Sequence, residues 1–298
     1  MKTAFIFAGG GSLGAIQVGM LKALTENAIR PDLLVGASVG AINAAHFAAD
    51  PSLQGISQLE EIWRSLERDE VFHFSWVSGI KALIGKRTHL FDEKIFEKFL
   101  AERLPYQDFA EAVIPIHIIG SDFVSGEEVI LSAGKMLSAL QASAAIPGIF
   151  PPVEIGGHYL IDGGVANHTP VSTAIRLGAT RLIVLPTGFT CAPTMPPTGA
   201  LTIALHSLNL IIARQLLQDL EAHKDQAEIL VVPPLCPQKA HPLDFHAAGL
   251  LIDEGYALTR QWLEQDGLNK CSSFECLMLH GHQGIEPANR VEPAESGG

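Results

Sequence analysis

Charge is scarce in this 298-residue chain: 17% of its residues are Asp, Glu, Lys or Arg, against 47% hydrophobic. That balance excludes an extended disordered protein and asks for a packed interior, either one large core or two modest ones. Positive charge is scarcer still, with 20 Lys and Arg facing 32 Asp and Glu for a formal net charge of −12. A nucleic-acid binder would present a basic face, so nucleic acid is excluded as a partner. The same deficit removes any general attraction to an anionic membrane surface. Contact with a membrane would have to be local and apolar.

Cysteine is equally thin. Cys191, Cys236, Cys271 and Cys276 match no zinc-ligand spacing, which leaves no metal site and reads as reduced thiols of a cytosolic protein. No secretory signal is visible, because Ala4–Ala8 is too short for its apolar part and runs straight into glycines. These features point to the cytoplasm, with peripheral contact at the inner membrane surface as the wider reading. Long apolar runs are missing too. Ala200–Leu217 comes nearest, but His206, Asn209 and Arg214 interrupt it, so a buried or interfacial helix is expected. Its exposed side could serve a homodimer. No internal repeat is evident.

What the chain does have is alternation. Short apolar runs at Thr3–Ala8, Asp32–Val35, Ile114–Ile119, Val129–Leu131, Tyr159–Ile161, Arg181–Leu185 and Ile229–Val232 read as strands. Helical spacing appears at Ala15–Glu26, Ala41–Ala49, Leu53–Arg68, Glu93–Leu104, Lys135–Ala145, Val171–Leu177, Ala200–Leu220 and Phe245–Leu263. Strand followed by helix at this pitch predicts an α/β fold, a three-layer α/β/α domain with a largely parallel central sheet. The domain is expected over residues 1–266. Residues 267–298 change composition and read as a tail, disordered towards its Glu-, Pro- and Gly-rich end.

Two glycine turns and one aspartate carry the chemistry. Gly9-Gly10-Gly11-Ser12-Leu13-Gly14 fits the G-x-G-x-x-G pattern between a strand and a helix. A dinucleotide site would also need an acidic residue at the far end of the second strand. That strand end carries Gly36-Ala37-Ser38-Val39-Gly40 instead, a G-x-S-x-G turn. Such a turn holds a serine in a sharp strand-to-helix elbow, with Gly36 and Gly40 removing side chains that would collide. A nucleophilic serine needs backbone N–H donors for the oxyanion of its tetrahedral intermediate. The first turn, adjacent in a parallel sheet, can offer the amides of Gly10 and Gly11 at a helix start. Asp162-Gly163-Gly164 follows a third strand and leaves a carboxylate free to act as general base.

Taken together these motifs resemble the patatin-like phospholipases. Gly9–Gly14, Gly36–Gly40 and Asp162–Gly164 occur in that family's order, joined by Ala142-Ser-Ala-Ala-Ile-Pro-Gly-Ile-Phe-Pro-Pro152, by Asp162-Gly-Gly-Val-Ala-Asn167 and by Thr169-Pro170. The resemblance covers roughly residues 3–265. It implies hydrolysis of lipid acyl esters by a serine–aspartate dyad without metal, cofactor or histidine. By that resemblance Ser38 is the nucleophile, Asp162 the base, and the turn of Gly9, Gly10, Gly11, Ser12 and Gly14 the oxyanion hole, with a lipid or acyl ester as substrate. One position departs. Leu13 stands where many members carry Arg or Lys, so backbone amides alone would have to hold the oxyanion.

Other residues invite a role. His168 lies six positions after Asp162 and suggests a Ser-His-Asp arrangement, but a base is already supplied and it reads as a bystander. Asn167-His168-Thr169 matches a glycosylation acceptor by coincidence. Val71–Trp76 with Ile80, Leu83, Lys86 and Arg87 reads equally as an interfacial lid or as an ordinary capping helix. Ala200–Leu217 could line an acyl channel, though core packing is the plainer reading. Two rival functions share the motifs: an acyltransferase or thioesterase using the same dyad, and a non-catalytic lipid-binding protein on the same fold.

Overall fold

The computed structural model describes residues 1–66, 93–187, 200–236, 244–269 and 277. The candidate lid at 71–87, most of the expected tail, and Cys191, Cys271 and Cys276 lie outside them. Strand β1 (Thr3–Phe7) lies inside the sheet, as its alternating side chains, apolar on both faces, require. Phe5 and Phe7 join one core cluster, Ala4 and Ile6 the other. Each such large side chain contributes roughly 1.5–3 kcal/mol when fully removed from water. β1 pairs in parallel with β2 (Leu33–Ala37) on one edge and with β7 (Arg181–Leu185) on the other. Outside these, also parallel, lie β3 (Ile116–Asp122) and β8 (Glu228–Val231).

The far edge turns antiparallel, and this positions the site. β2 runs along one edge of β3 as far as the pair Ala37 and Ile119. β4 (Glu128–Leu131) occupies the opposite edge, from Ile118 to Ser121. β6 (His158–Asp162) pairs with β3 over Gly120–Asp122, starting with Gly120 beside Asp162. Gly120 and Ser121 have β4 on one edge, so β6 must lie on the edge that β2 has just left. β2 and β6 therefore meet end to end along β3, carboxyl end facing carboxyl end. β5 (Val153–Ile155), which the sequence pattern did not reveal, closes the edge beside β6.

Helices cover both faces, as the alternation predicted. On the side of Phe5 and Phe7 lie α1 (Ala15–Glu26), α2 (Val39–Ala49), α3 (Leu53–Ser65), α4 (Glu93–Arg103), α5 (Met136–Ser143) and α9 (Ala248–Glu264). On the side of Ala4 and Ile6 lie α7 (Val171–Arg176) and α8 (Ala200–His223), with the short α6 (Gly164–Asn167) preceding α7. Helix α1 is buried all round because α9 lies directly on it. A Cβ on Gly19 would strike the carbonyl oxygen of Ile252, and one on Gly255 would lie 2.7 Å from the carbonyl oxygen of Ile16. Only glycine permits backbones this close. Helix α9 begins at Ala248 rather than Phe245, since Asp244 accepts the His246 N–H at 3.1 Å and the chain turns before the helix starts. Among the described residues no helix is long and apolar enough to cross a membrane.

Candidate active site

Ser38 sits between β2 and α2 with φ 53° and ψ −130°, a left-handed conformation that non-glycine residues adopt only when held there. The hold comes from both sides. A Cβ on Gly40 would come within 2.5 Å of the carbonyl oxygens of Phe7 and Ala8, so the elbow packs against β1 only because position 40 is bare. Gly36 is tightly placed too, since a Cβ there would lie 2.9 Å from the Ala41 backbone. The Ser38 N–H donates to Ser143 Oγ at 2.8 Å, and that hydroxyl donates onward to the Ile119 carbonyl at 2.6 Å. Ser143, at the end of α5, thus ties the elbow to β3. Sequence reading placed it in a motif but gave it no task.

Asp162 reaches the serine from the opposite direction. Ser38 Oγ donates to Asp162 Oδ2 at 2.6 Å, and the Gly164 N–H donates to Oδ1 at 2.7 Å. The carboxylate is buried, which pushes its pKa up to about 6 even though both hydrogen bonds pull it down. Its own backbone is fixed as well: its N–H donates to the Ala145 carbonyl at 2.9 Å and its carbonyl accepts Ser121 Oγ at 2.8 Å. Gly163 has no room for a side chain against Ile119. Asn167, buried, holds the end of α6 to Glu128 of β4 at 2.8 Å.

The glycine loop lies beside this pair. Gly10 has φ 149°, and a Cβ there would overlap Thr187, whose hydroxyl donates to the Gly9 carbonyl. The Gly9 N–H is donated to the His168 carbonyl oxygen at 3.1 Å, so in this structure the amide is engaged within the protein. The following residues, Gly11 to Gly14, form a single 3-10 turn leading into α1. Ser12 is buried within it, Gly14 packs against Val39, and Leu13 rests partly buried on the apolar core. The His168 ring flanks Gly9 next to Ser38: a Cβ on Gly9 would be 3.0 Å from Nε2 and 3.3 Å from Ser38 Cβ. Burial lowers its pKa to about 4, and its ring makes a long hydrogen bond, 3.4 Å, with Thr169. It is a neutral neighbour of the pair.

Two buried amides couple the loop to the elbow. Asn43 Nδ2 donates to the Gly14 carbonyl at 2.9 Å and to Gln17 Oε1 at 2.8 Å. Gln17 Nε2 in turn donates to the carbonyls of Ala8 and Leu185, both at 2.9 Å, and Trp63 Nε1 donates to Asn43 Oδ1 at 2.9 Å. These residues were missed in the sequence. The one signal was a polar residue, Gln17 and Asn43, flanked on both sides by small or apolar ones.

The pair opens onto an apolar cavity with about 740 Å³ of empty space, a figure that includes its open mouth. Gly11 and Ser38 stand at one part of its wall, and Trp63, Phe96, Phe150 and Phe245 supply aromatic surface. The Phe96 and Phe150 rings stack 4.8 Å apart.

Comparison with known proteins identifies the family. The family model described as patatin-like phospholipase matches residues 5–175, which include both glycine turns, Ser38 and Asp162. Neuropathy target esterase sws of Drosophila melanogaster is 26% identical over 185 residues, covering 61% of this chain and 13% of that protein. Patatin-like phospholipase domain-containing protein 7 of Rattus norvegicus is 29% identical over 187 residues, covering 62% and 13%. An uncharacterized NTE family protein of Mycobacterium tuberculosis is 32% identical over 170 residues, covering 56% and 27%. The chain thus spans a minor part of the length of these relatives. Among solved structures, VipD from Legionella pneumophila superposes with TM-score 0.45 at 15% identity, covering 89% of this chain and 67% of that one. Human GIVD cytosolic phospholipase A2 in complex with methyl gamma-linolenyl fluorophosphonate gives TM-score 0.46 at 14% identity, covering 90% and 58%. With more than half of its length matched by the family model, the chain belongs to the patatin-like phospholipase family.

Proposed function

We propose that this protein hydrolyses carboxylic esters of fatty acids in lipids, with Ser38 as nucleophile and Asp162 as general base. The observation that carries the reading is the 2.6 Å hydrogen bond from Ser38 Oγ to a buried carboxylate, on a strained elbow that faces an apolar cavity. Asp162 takes the Ser38 proton as Oγ attacks the ester carbonyl, and the Gly164 N–H keeps the carboxylate aimed. The developing oxyanion is held by the amides of Gly10 and Gly11 at the head of the turn, and the start of α2 adds its positive dipole end. Asp162 returns the proton to the departing alcohol. Water, deprotonated by the same carboxylate, then attacks the acyl-enzyme; the acyl–oxygen bond breaks, Ser38 regains its proton, and the fatty acid leaves. Release of fatty acid from a panel of lipid esters, by the intact protein and by Ser38→Ala, tests the reading. Turnover by the intact protein that the substitution abolishes supports it; turnover surviving in Ser38→Ala overturns it.

A further inference from the structure

Ile42 and His46 line the cavity one turn apart on α2, and Ser38, the residue just before the helix, lines it at the near end. The cavity therefore follows α2 for two turns, and eight residues at 1.5 Å each place His46 about 12 Å along the axis from Ser38. His46 is out of character there. The surrounding wall is built of Leu59, Ile62, Trp63 and Leu100, with Arg103 at another point of the lining, where its guanidinium lies 4.3 Å from the Phe99 ring centre.

The His46 ring makes no hydrogen bond to the described residues, yet its nitrogens are not among the sealed side-chain atoms without partners, which are Thr25 Oγ1, Tyr106 Oη and Arg181 Nε. The polar edge of the ring thus keeps some accessible surface, in a residue that lines the cavity. Burial holds the imidazole neutral, with its pKa lowered to about 4, so it offers one donor and one acceptor. A polar edge set in an apolar wall has few partners to replace bulk water, whereas a leucine would need none. A ligand that pairs with the ring accounts for the choice.

We propose that His46 is a specificity-determining residue: the cavity takes an acyl chain carrying a hydroxyl or keto oxygen, and that oxygen is received by the His46 ring. An extended chain covers about 1.1–1.2 Å per bond, a third of the 3.3–3.6 Å span of one peptide residue. The helix side chain also leans back towards the N-terminus, so the oxygen belongs about eight to ten bonds from the ester carbonyl. This rests on the ester hydrolysis proposed above. Pockets of this kind take their selectivity from a few placed polar groups.

The test compares p-nitrophenyl decanoate with its terminally hydroxylated analogue, as kcat/KM, in the intact protein, His46→Leu and His46→Gln. The intact protein is expected to favour the hydroxylated ester by about tenfold or more, His46→Leu to lose or reverse that preference, and His46→Gln to keep part of it. An unchanged ratio in a His46→Leu protein that melts normally overturns the proposal. Should His46→Leu fail to fold, the intact protein decides, and no preference for the hydroxylated ester is equally fatal. Fluorophosphonate labelling separates the two levels. A labelled Ser38 without chain preference removes the role of His46 alone, whereas an unlabelled Ser38 removes the underlying reaction.

Discussion

Ala37 and Asp162 sit beside consecutive residues of β3, Ile119 and Gly120, on the same edge of that strand. The residue after Ala37 is Ser38, so β3 acts as a ruler that sets nucleophile against carboxylate across 124 positions of sequence. The pair is held by sheet register rather than by loop geometry. A bond between two strand ends leaves little freedom to drift, and the 2.6 Å separation can exist before substrate arrives.

The acid limb of activity should report Asp162. Its carboxyl is raised to about 6 by burial, so the base form accumulates as pH rises through 6, and kcat/KM should climb there and then level off. His168 titrates near 4 and adds no limb near neutrality. A pH profile of ester hydrolysis checks this, with His168→Ala as control. A limb near 7 that vanishes in His168→Ala would assign the base to histidine.

Asp162→Asn should separate function from stability. The folded-state pKa, about 6, lies above the ordinary 3.8, so the folded protein binds this proton more tightly and loses stability as pH rises through that window. At pH 8 the buried charge is fully present. Replacing it with a neutral amide should raise stability by on the order of 1–3 kcal/mol. Activity should fall by about 10²–10⁴-fold. Below about pH 4 the gain should vanish. Thermal melts at pH 8 and pH 4 give the comparison, and an Asn variant that melts lower at pH 8 contradicts the charge argument.

Asn43→Leu should damage catalysis out of proportion to folding. It strips partners from Gly14, Gln17 and Trp63 at once, at a cost of about 1–3 kcal/mol for each group left unpaired. It also releases the glycine loop from α2. We expect kcat to drop at least about tenfold in protein that is still folded, with KM changing less. Trp63→Phe, which loses one hydrogen bond but keeps the ring, should be milder. Equal loss of kcat in both variants would mean that the network only supports the fold.

Gly19→Val probes the fold away from the site. Any Cβ there meets the Ile252 carbonyl, so α9 must lift off α1, at a cost of about 1–3 kcal/mol or more. A fall in melting temperature with unchanged kcat per folded molecule is the expected result. A variant as stable as the parent would mean that the two helices pack less closely than described.

Much of this was legible in the residues. The strand β7 and helix α1 match their expected bounds, Arg181–Leu185 and Ala15–Glu26, because the apolar spacing changes sharply at both ends. Ser38 could be read from Gly36 and Gly40, since steric need at an elbow leaves a local mark. Asp162 was harder, because Asp-Gly is common in turns and only the joint motif pattern gave it a role. Its contact with Ser38 depends on the edge of β3 that β6 occupies, which no local spacing encodes. Gln17, Asn43 and Ser143 were missed for the same reason: each acts on a residue distant in sequence. The Gly9 amide is given to His168, a partner 159 positions away that only the folded chain supplies.

Site-resolved labelling by a fluorophosphonate tests the central claim most directly. The reagent bonds only to an activated serine, and mass spectrometry of the digested protein locates it. The account predicts one modified residue, Ser38, with labelling abolished in Ser38→Ala and strongly slowed in Asp162→Asn, while all three proteins melt cooperatively. A folded intact protein that takes no label, or takes it at a serine other than Ser38, would contradict it.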